Sequence, residues 1–206
     1  MTTYLTQGVV SNVDAAKRRL KDRYDWHQYL WKFFPGVELG SEHEFLWRID
    51  RKDVCCILWL LSEKKPDVAE APGRWATKEV ADTFLTHRRY EFSLCANPTV
   101  MRVVRLEDGS RRKNGRRTAI YDRNELEKWL SDKGTNGGFV IERLTFDPPT
   151  KDYFFKTKDQ KGVHSNVEFR GVLNVVDSEK FTAAWKTGIG PAKGFGFGLL
   201  LLNPIE

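Results

Sequence analysis

The sequence predicts an α+β protein made of two tandem βαββαβ units. Strand patterns with a period of two alternate with helical patterns in both halves, and the same element order recurs. The chain has 206 residues, near the upper end for one domain, and its 40% hydrophobic and 30% charged residues are typical of a folded protein. We therefore expect two small domains, at residues 1–85 and 86–206.

The first half is predicted to contain a strand at 4–10, a long helix at 14–34 and a hairpin at 45–61. Residues 64–75 include two prolines and one glycine and show no clear helical period. The second helix of this unit is therefore expected to be degraded, and residues 76–81 to form the closing strand.

The second half repeats the order, with a hairpin inserted after its first strand. Asp122 followed by Glu125 is a helix start signal, whereas the polar, lysine-rich residues 147–166 are expected to be a connection. The predicted elements are strand 90–95, hairpin arms 100–106 and 118–121, helix 122–134, strands 139–146 and 167–176, a helix from 177 or 178 to 185, and strand 195–202. The order βαββαβ is the ferredoxin-like, or RRM-like, arrangement. The first half would be a copy of it with a degraded second helix.

Charge and composition limit the functional classes. A formal charge of +6 favours a polyanionic partner without proving one. The longest apolar run, 54–61, is far shorter than the roughly 20 residues of a membrane-spanning helix, and the start MTTYLTQ lacks the features of a secretory signal. The three cysteines show neither a disulfide framework nor a metal-site spacing. We expect a cytoplasmic protein that has no membrane segment.

A glycine-rich segment at 188–198 holds five glycines in eleven residues. It follows a predicted helix and enters a strand, whereas Rossmann and P-loop signatures run from strand to helix. A bare backbone with Lys193 could approach a sugar-phosphate chain closely. Taken alone, a helix cap and tight turn explain the glycines equally well.

Several motifs carry a specific resemblance. GIGPAKGFGFGLL at 188–200 resembles the glycine-rich loop of the RAMP superfamily, and in particular of its CasE family. YDWHQYLWKFFPG, FSLCANPT, the turn at 115–117 and FRGVLNVVDSEKF resemble further landmarks of that family. The resemblance implies a crRNA-processing endoribonuclease of type I-E CRISPR systems that needs neither metal nor cofactor. It would bind the CRISPR repeat hairpin, cut at the 3′ base of the stem, and stay on the mature crRNA as a Cascade subunit; in isolation it is expected to be a monomer.

The resemblance also implies three catalytic residues. His27 matches the family's catalytic histidine and is assigned as general base, with general acid as a second role. Tyr24 lies three residues earlier, on the same helical face, and would orient the ribose or stabilise the leaving oxygen. Lys32 would neutralise the phosphorane, although its spacing from His27 takes it off that face. Without the resemblance, a histidine and a tyrosine at this spacing are more often ordinary helix residues.

RNA binding is expected from basic and glycine-rich segments. A basic hairpin tip would contact phosphates of the stem, its alternative interpretation being a solubilising charged loop. Three lysines in the predicted connection 147–166 could line the cut site or simply be solvated. The predicted RNA-binding residues are Arg111, Arg112, Lys113, Arg116, Arg117, Lys156, Lys158, Lys161, Gly190, Lys193 and Gly194. No metal site is expected, because Glu42, His43 and Glu44 are consecutive, and His87 and His164 lack a carboxylate or cysteine cluster.

Two other functional classes remain. A catalytically silent RAMP-type module would hold crRNA without cutting it, but it would have no reason to keep His27 beside Tyr24. A palm-like cyclase or polymerase shares the topology but needs paired acidic metal ligands on adjacent strands, and no convincing pair is present. Fold alone does not separate these classes.

Overall fold

The computed structural model describes residues 2–36, 45–103, 115–157 and 160–206, with only the backbone at 156 and 157. Its strands are β1 (Tyr4–Ser11), β2 (Phe45–Arg51), β3 (Cys55–Ser62), β4 (Arg74–Glu79), β5 (Arg89–Ala96), β6 (Thr99–Arg102), β7 (Arg116–Ala119), β8 (Phe139–Phe146), β9 (Thr150–Thr157), β10 (Gln160–Val175) and β11 (Leu200–Ile205). Its α-helices are α1 (Asn12–Lys17), α2 (Arg23–Leu30), α3 (Arg123–Asn136) and α4 (Ser178–Thr187).

Two antiparallel sheets confirm the predicted fold class. The first has the order β2–β3–β1–β4, and the second has the order β11–β5–β10–β8. In both, the first strand of the unit lies between its third and fourth strands, which is the ferredoxin-like arrangement. The predicted domain boundary at residue 85 stays a prediction. A short 3-10 turn, Asp82–Leu85, connects the last strand of the first sheet, β4, to the first strand of the second sheet, β5.

The first unit differs from the prediction in its helix. Residues predicted as one helix form α1, a break, α2 and a 3-10 turn at Trp31–Phe33. The break occurs because Arg19 adopts a left-handed conformation with φ 59°. Asp22 then starts a new helix through a reciprocal capping box with Asp25. The prediction of a degraded second helix is confirmed, since residues 63–73 contain no helix.

The second unit differs mainly at 147–166, where the predicted connection is wrong. These residues form β9 and the first part of β10, paired antiparallel from Thr150 opposite Asn166 to Thr157 opposite Gln160. The final strand also begins later than predicted, at Leu200, because 193–195 is a 3-10 turn. The inserted hairpin is confirmed as β6 paired with β7. Of its predicted basic tip, residues 109–114 lie outside the described residues, whereas Arg116 and Arg117 belong to β7 because the strand pairing extends to Arg102 opposite Arg116.

The two units pack against each other through a common hydrophobic core and through polar contacts. The larger core lies around β5, β10, α3 and α4 but includes Leu46 and Leu61 from the first unit. A buried arginine also crosses between the sheets: Arg48 of β2 donates to Ser93 of β5 at 2.7 Å and to Glu168 of β10 at 2.6 Å. Such contacts fix one sheet against the other, so side chains from both units can build one site. Among the described residues, no helix is long and apolar enough to cross a bilayer.

Candidate active site

Helix α2 carries the two residues expected to act on RNA. Asp22 accepts hydrogen bonds from the backbone N–H groups of Tyr24 and Asp25 at 2.8 and 3.0 Å, which fixes the first turn. Tyr24 and His27 are three residues apart within α2 and are both half-buried. They therefore lie on one helical face, as predicted, and that face is partly open to solvent.

His27 lies in a niche of aromatic rings. Its ring centroid is 5.9 Å from that of Trp31, and the Trp31 indole Nε1 donates a 3.0 Å hydrogen bond to Nε2 of the imidazole. Three more rings approach within 6.3 to 6.5 Å, namely those of Phe45, Trp47 and Phe195. An indole N–H can only donate, so in this contact Nε2 presents its lone pair to Trp31. A neutral imidazole is the form that a general base requires.

The glycine-rich segment closes this niche from the second unit. Trp47 of β2 donates its indole Nε1–H to the carbonyl of Gly194 at 3.2 Å. Gly196 follows with φ 76°, and a Cβ there would meet Trp47 at 3.0 Å and Arg23 at 2.9 Å. Glycine is therefore required at this position. The turn holds Phe195 against His27 and joins the units at the site.

Arg23, which sequence reasoning did not single out, fastens α2 to the second unit. It is only 3% exposed, and its Nη1 donates to the carbonyls of Phe195 and Gly196 at 3.2 and 3.1 Å. Its Nε pairs with Asp152 of β9 at 2.5 Å, and the guanidinium lies 4.2 Å from the ring centroid of Phe197. The planar guanidinium group thus connects α2 to β9 and to the glycine-rich segment at the same time.

A second histidine lies on the other side of Phe195. The His164 ring stacks on Phe154 at 4.8 Å and lies 4.7 Å from Phe195. Burial, and secondarily the charge of Arg23, lowers the pKa of His164 to about 4, against an opposing effect of Asp152. His164 is therefore neutral near pH 7 and acts as a packing residue behind Phe195.

Three of the predicted RNA-binding residues line one cleft. Arg117 of β7, Gly190 and Lys193 surround a cavity of about 530 Å³, together with Lys133 of α3. Burial and the nearby Lys133 lower the pKa of Lys193. The two ammonium groups repel each other, and a phosphate between them would be attracted by both.

The other predicted residues have different surroundings. Arg116 is exposed, whereas Gly194 is buried with its carbonyl bonded to Trp47. Lys32 extends over Tyr29, 5.6 Å from the ring centroid, and Lys161 lies over Tyr153 at 4.1 Å. Outside the described residues lie Arg111, Arg112, Lys113 and Lys158, and the Lys156 side chain is likewise not described. Within the described parts of the chain, no three histidine, cysteine or acidic side chains are arranged to hold a metal ion.

Comparisons with known proteins identify the family of the chain. The family model "CRISPR associated protein" matches residues 3–204. The Cascade subunit CasE of Escherichia coli K12 is 27% identical over 200 residues, covering 95% of this chain and 99% of that protein. The CRISPR-associated endoribonuclease Cse3 of Thermus thermophilus is 27% identical over 207 residues, covering 92% of this chain and 94% of that protein.

Solved structures are similar over nearly the whole chain. Thermus thermophilus Cse3, bound to an RNA representing a pre-cleavage complex, has a TM-score of 0.78 at 25% identity and covers 99% of this chain and 100% of that one. Escherichia coli Cas6e has a TM-score of 0.76 at 27% identity, with coverage of 98% and 100%. The likeness therefore includes both sheets.

Proposed function

The chain belongs to the CRISPR-associated protein family, and from this premise we propose that it is a metal-independent endoribonuclease that matures crRNA. It binds the repeat hairpin, cuts at the 3′ base of the stem, and remains on the product as a subunit of Cascade in the cytoplasm. One relative is named as an endoribonuclease and another as a Cascade subunit. The observation that carries the proposal is the imidazole of His27 at a half-open helical face, with its Nε2 accepting from the Trp31 indole.

The chemistry follows from the lone pair on Nε2. The 2′-hydroxyl oxygen attacks the adjacent phosphorus, its proton passes to Nε2 of His27, and the 2′-hydroxyl replaces the Trp31 indole as hydrogen-bond donor. The new 2′-O–P bond forms as the P–O5′ bond breaks, and the departing 5′-oxygen takes up a proton from the imidazolium of His27, in its second role as general acid, or from solvent. The products are a 2′,3′-cyclic phosphate and a 5′-hydroxyl. No redox change and no bound water are needed.

Two further side chains support this reaction. Tyr24 shares the helical face of His27 and carries a hydroxyl that can orient the ribose or donate to the departing oxygen. Lys32 is exposed and over Tyr29, from where its flexible stem can deliver charge to the phosphorane. The roles of both residues are part of the proposal.

The first test uses the RNA rather than the protein. A labelled repeat hairpin is incubated with excess EDTA, beside the same RNA carrying one 2′-deoxy nucleotide at the cut. We expect one defined cut in the all-ribose RNA and none in the deoxy RNA, which lacks the nucleophile but still binds. Cleavage that needs added metal, or that survives the 2′-deoxy substitution, would contradict the mechanism.

The basic cleft predicts a specific salt dependence. If Arg117 and Lys193 each contact a phosphate, replacing either by alanine lowers the slope of log Kd against log salt by about 1. Filter binding at several salt concentrations measures this slope. Lys180→Ala is the matched control, because Lys180 is an exposed lysine already paired with Asp177 at 2.9 Å. An unchanged slope in the Arg117 and Lys193 variants would remove the cleft from the RNA path.

A catalytically silent crRNA-binding module is the second candidate function. It shares the fold and the basic cleft, and it predicts tight binding of the hairpin with no cut by the wild-type protein. The Tyr24–His27 pair favours the nuclease, since a scaffold needs neither group.

A further inference from the structure

The β9–β10 hairpin has one face that packing within the described chain does not explain. Tyr153 is 43% exposed and Phe155 is 50% exposed. The ammonium of Lys161 lies 4.1 Å from the ring centroid of Tyr153 and 5.9 Å from that of Phe155. Since Lys161 pairs opposite Phe155 in the strand register, the three side chains form one continuous surface, which we name the stacking face.

The side chains on the opposite face of the same hairpin pack against the rest of the protein. Phe154 stacks on His164 and packs 4.4 Å from Phe195, and Asp152 pairs with Arg23. Strand alternation then places Tyr153 and Phe155 outward. Within the described parts of the chain, neither ring contacts another aromatic ring, and the ammonium of Lys161 lies over both. Two aromatic rings exposed to water without a packing role indicate a binding surface.

The hairpin that carries the stacking face adjoins the candidate active site. The carboxylate of Asp22, which caps the catalytic helix, accepts a 2.8 Å hydrogen bond from the backbone N–H of Phe155. Phe154 contacts Phe195, whose ring is 6.5 Å from that of His27. These contacts anchor the β9–β10 hairpin beside the helix that carries His27.

The chemistry of this face fits unpaired nucleotides. Exposed rings bind the π-faces of splayed bases, and a nearby lysine binds the phosphate between them. Bases inside the stem are already stacked on their neighbours and offer no free face. With the cut at the 3′ base of the stem, the unpaired nucleotides next to His27 follow the cut. We propose that the stacking face binds the unpaired nucleotides on the 3′ side of the cut, with a base on Tyr153 or Phe155 and a phosphate on Lys161. This inference rests on the proposed function.

Base stacking can be measured without cleavage. The probe is a repeat hairpin with 2′-deoxyribose at the cut and 2-aminopurine as the first unpaired base on its 3′ side. We expect its fluorescence to be quenched by the wild-type protein and by His27→Ala, and not by Tyr153→Ala/Phe155→Ala. Val163→Ala is the matched control, because Val163 is 53% exposed beside Tyr153 but has no ring. Melting curves check that the variants fold.

Affinity distinguishes the 3′ flank from the stem. The double variant should bind the RNA with a 3′ flank about tenfold more weakly, the size expected for loss of a base stack. An RNA that ends at the cut should bind equally well to both proteins. Three results would each overturn the proposal: wild-type affinity of the double variant for the RNA with a 3′ flank, equal weakening for both RNAs, or weakening that depends on a 5′ flank instead. A wild-type protein that quenches the probe yet never cuts all-ribose RNA would instead refute the proposed nuclease function alone.

Discussion

His27→Ala is expected to lower the single-turnover cleavage rate by about 10²- to 10⁴-fold while leaving hairpin affinity within about twofold, because proton transfer by a positioned side chain contributes that much to a rate. The imidazole is the base in the proposed mechanism, and the basic cleft that would hold the hairpin is formed by other residues. Single-turnover cleavage and filter binding on the same protein preparation measure the two quantities separately.

Two controls make this result specific. His87→Ala removes an exposed histidine away from the niche and should cleave at the wild-type rate. His27→Gln keeps a side chain between the rings and should be as inactive as His27→Ala, although it fills more of the niche. Cleavage by either His27 variant at the wild-type rate would place the active site elsewhere. A parallel loss of binding and melting temperature would mean that His27 is mainly structural.

The sequence predicted the features of the site that are local. Tyr24 and His27 needed only helical spacing and a motif, and their shared face on α2 is as expected. The break before α2 was missed because a left-handed Arg19 has no glycine signal, although Asp22 followed by Asp25 matches a capping box. The predicted strand order needed only the recurring element pattern, and both sheets confirm it.

What the sequence did not predict depends on contacts between the two units. Phe195 and Trp47 contact His27 although both are distant from it in sequence. No local sequence pattern predicts such a contact. The β9–β10 hairpin had a usable signal: three aromatic residues at 153–155 followed by alternation around His164. The many lysines and polar residues of this segment led to its interpretation as a connection. They are compatible with strands here because a two-stranded ribbon that extends beyond the sheet exposes much of its surface to water. Arg23 was missed because a lone arginine in a helix is usually solvated.

Arg23→Ala is expected to reduce stability more than any other single change considered for this site. Arg23 is buried, and its loss leaves Asp152 without its partner and the carbonyls of Phe195 and Gly196 without their donor. Removing one member of a fully buried ion pair costs about 3–5 kcal/mol, because the remaining charge stays desolvated. The side chain of Asp152 is 21% exposed, so the cost of Arg23→Ala should lie near the lower end of that range. For a chain of this size, the melting temperature should fall by about 10 °C or more. Thermal unfolding followed by circular dichroism measures the change.

Comparison of three variants separates geometry from charge at this position. Lys128→Ala removes an exposed helical pair with Asp132, 3.0 Å long and with 75% and 60% exposed side chains, and should change stability by less than about 0.5 kcal/mol. Arg23→Lys keeps the charge but lacks the planar fork, so it should restore the pairing with Asp152 while losing bonds to the glycine-rich segment. We therefore expect its melting temperature to lie between those of Arg23→Ala and the wild type, with cleavage still reduced because Phe195 is less firmly held beside His27. Wild-type cleavage and stability in Arg23→Ala would show that the two units are held together without this residue, and that the niche does not depend on their junction.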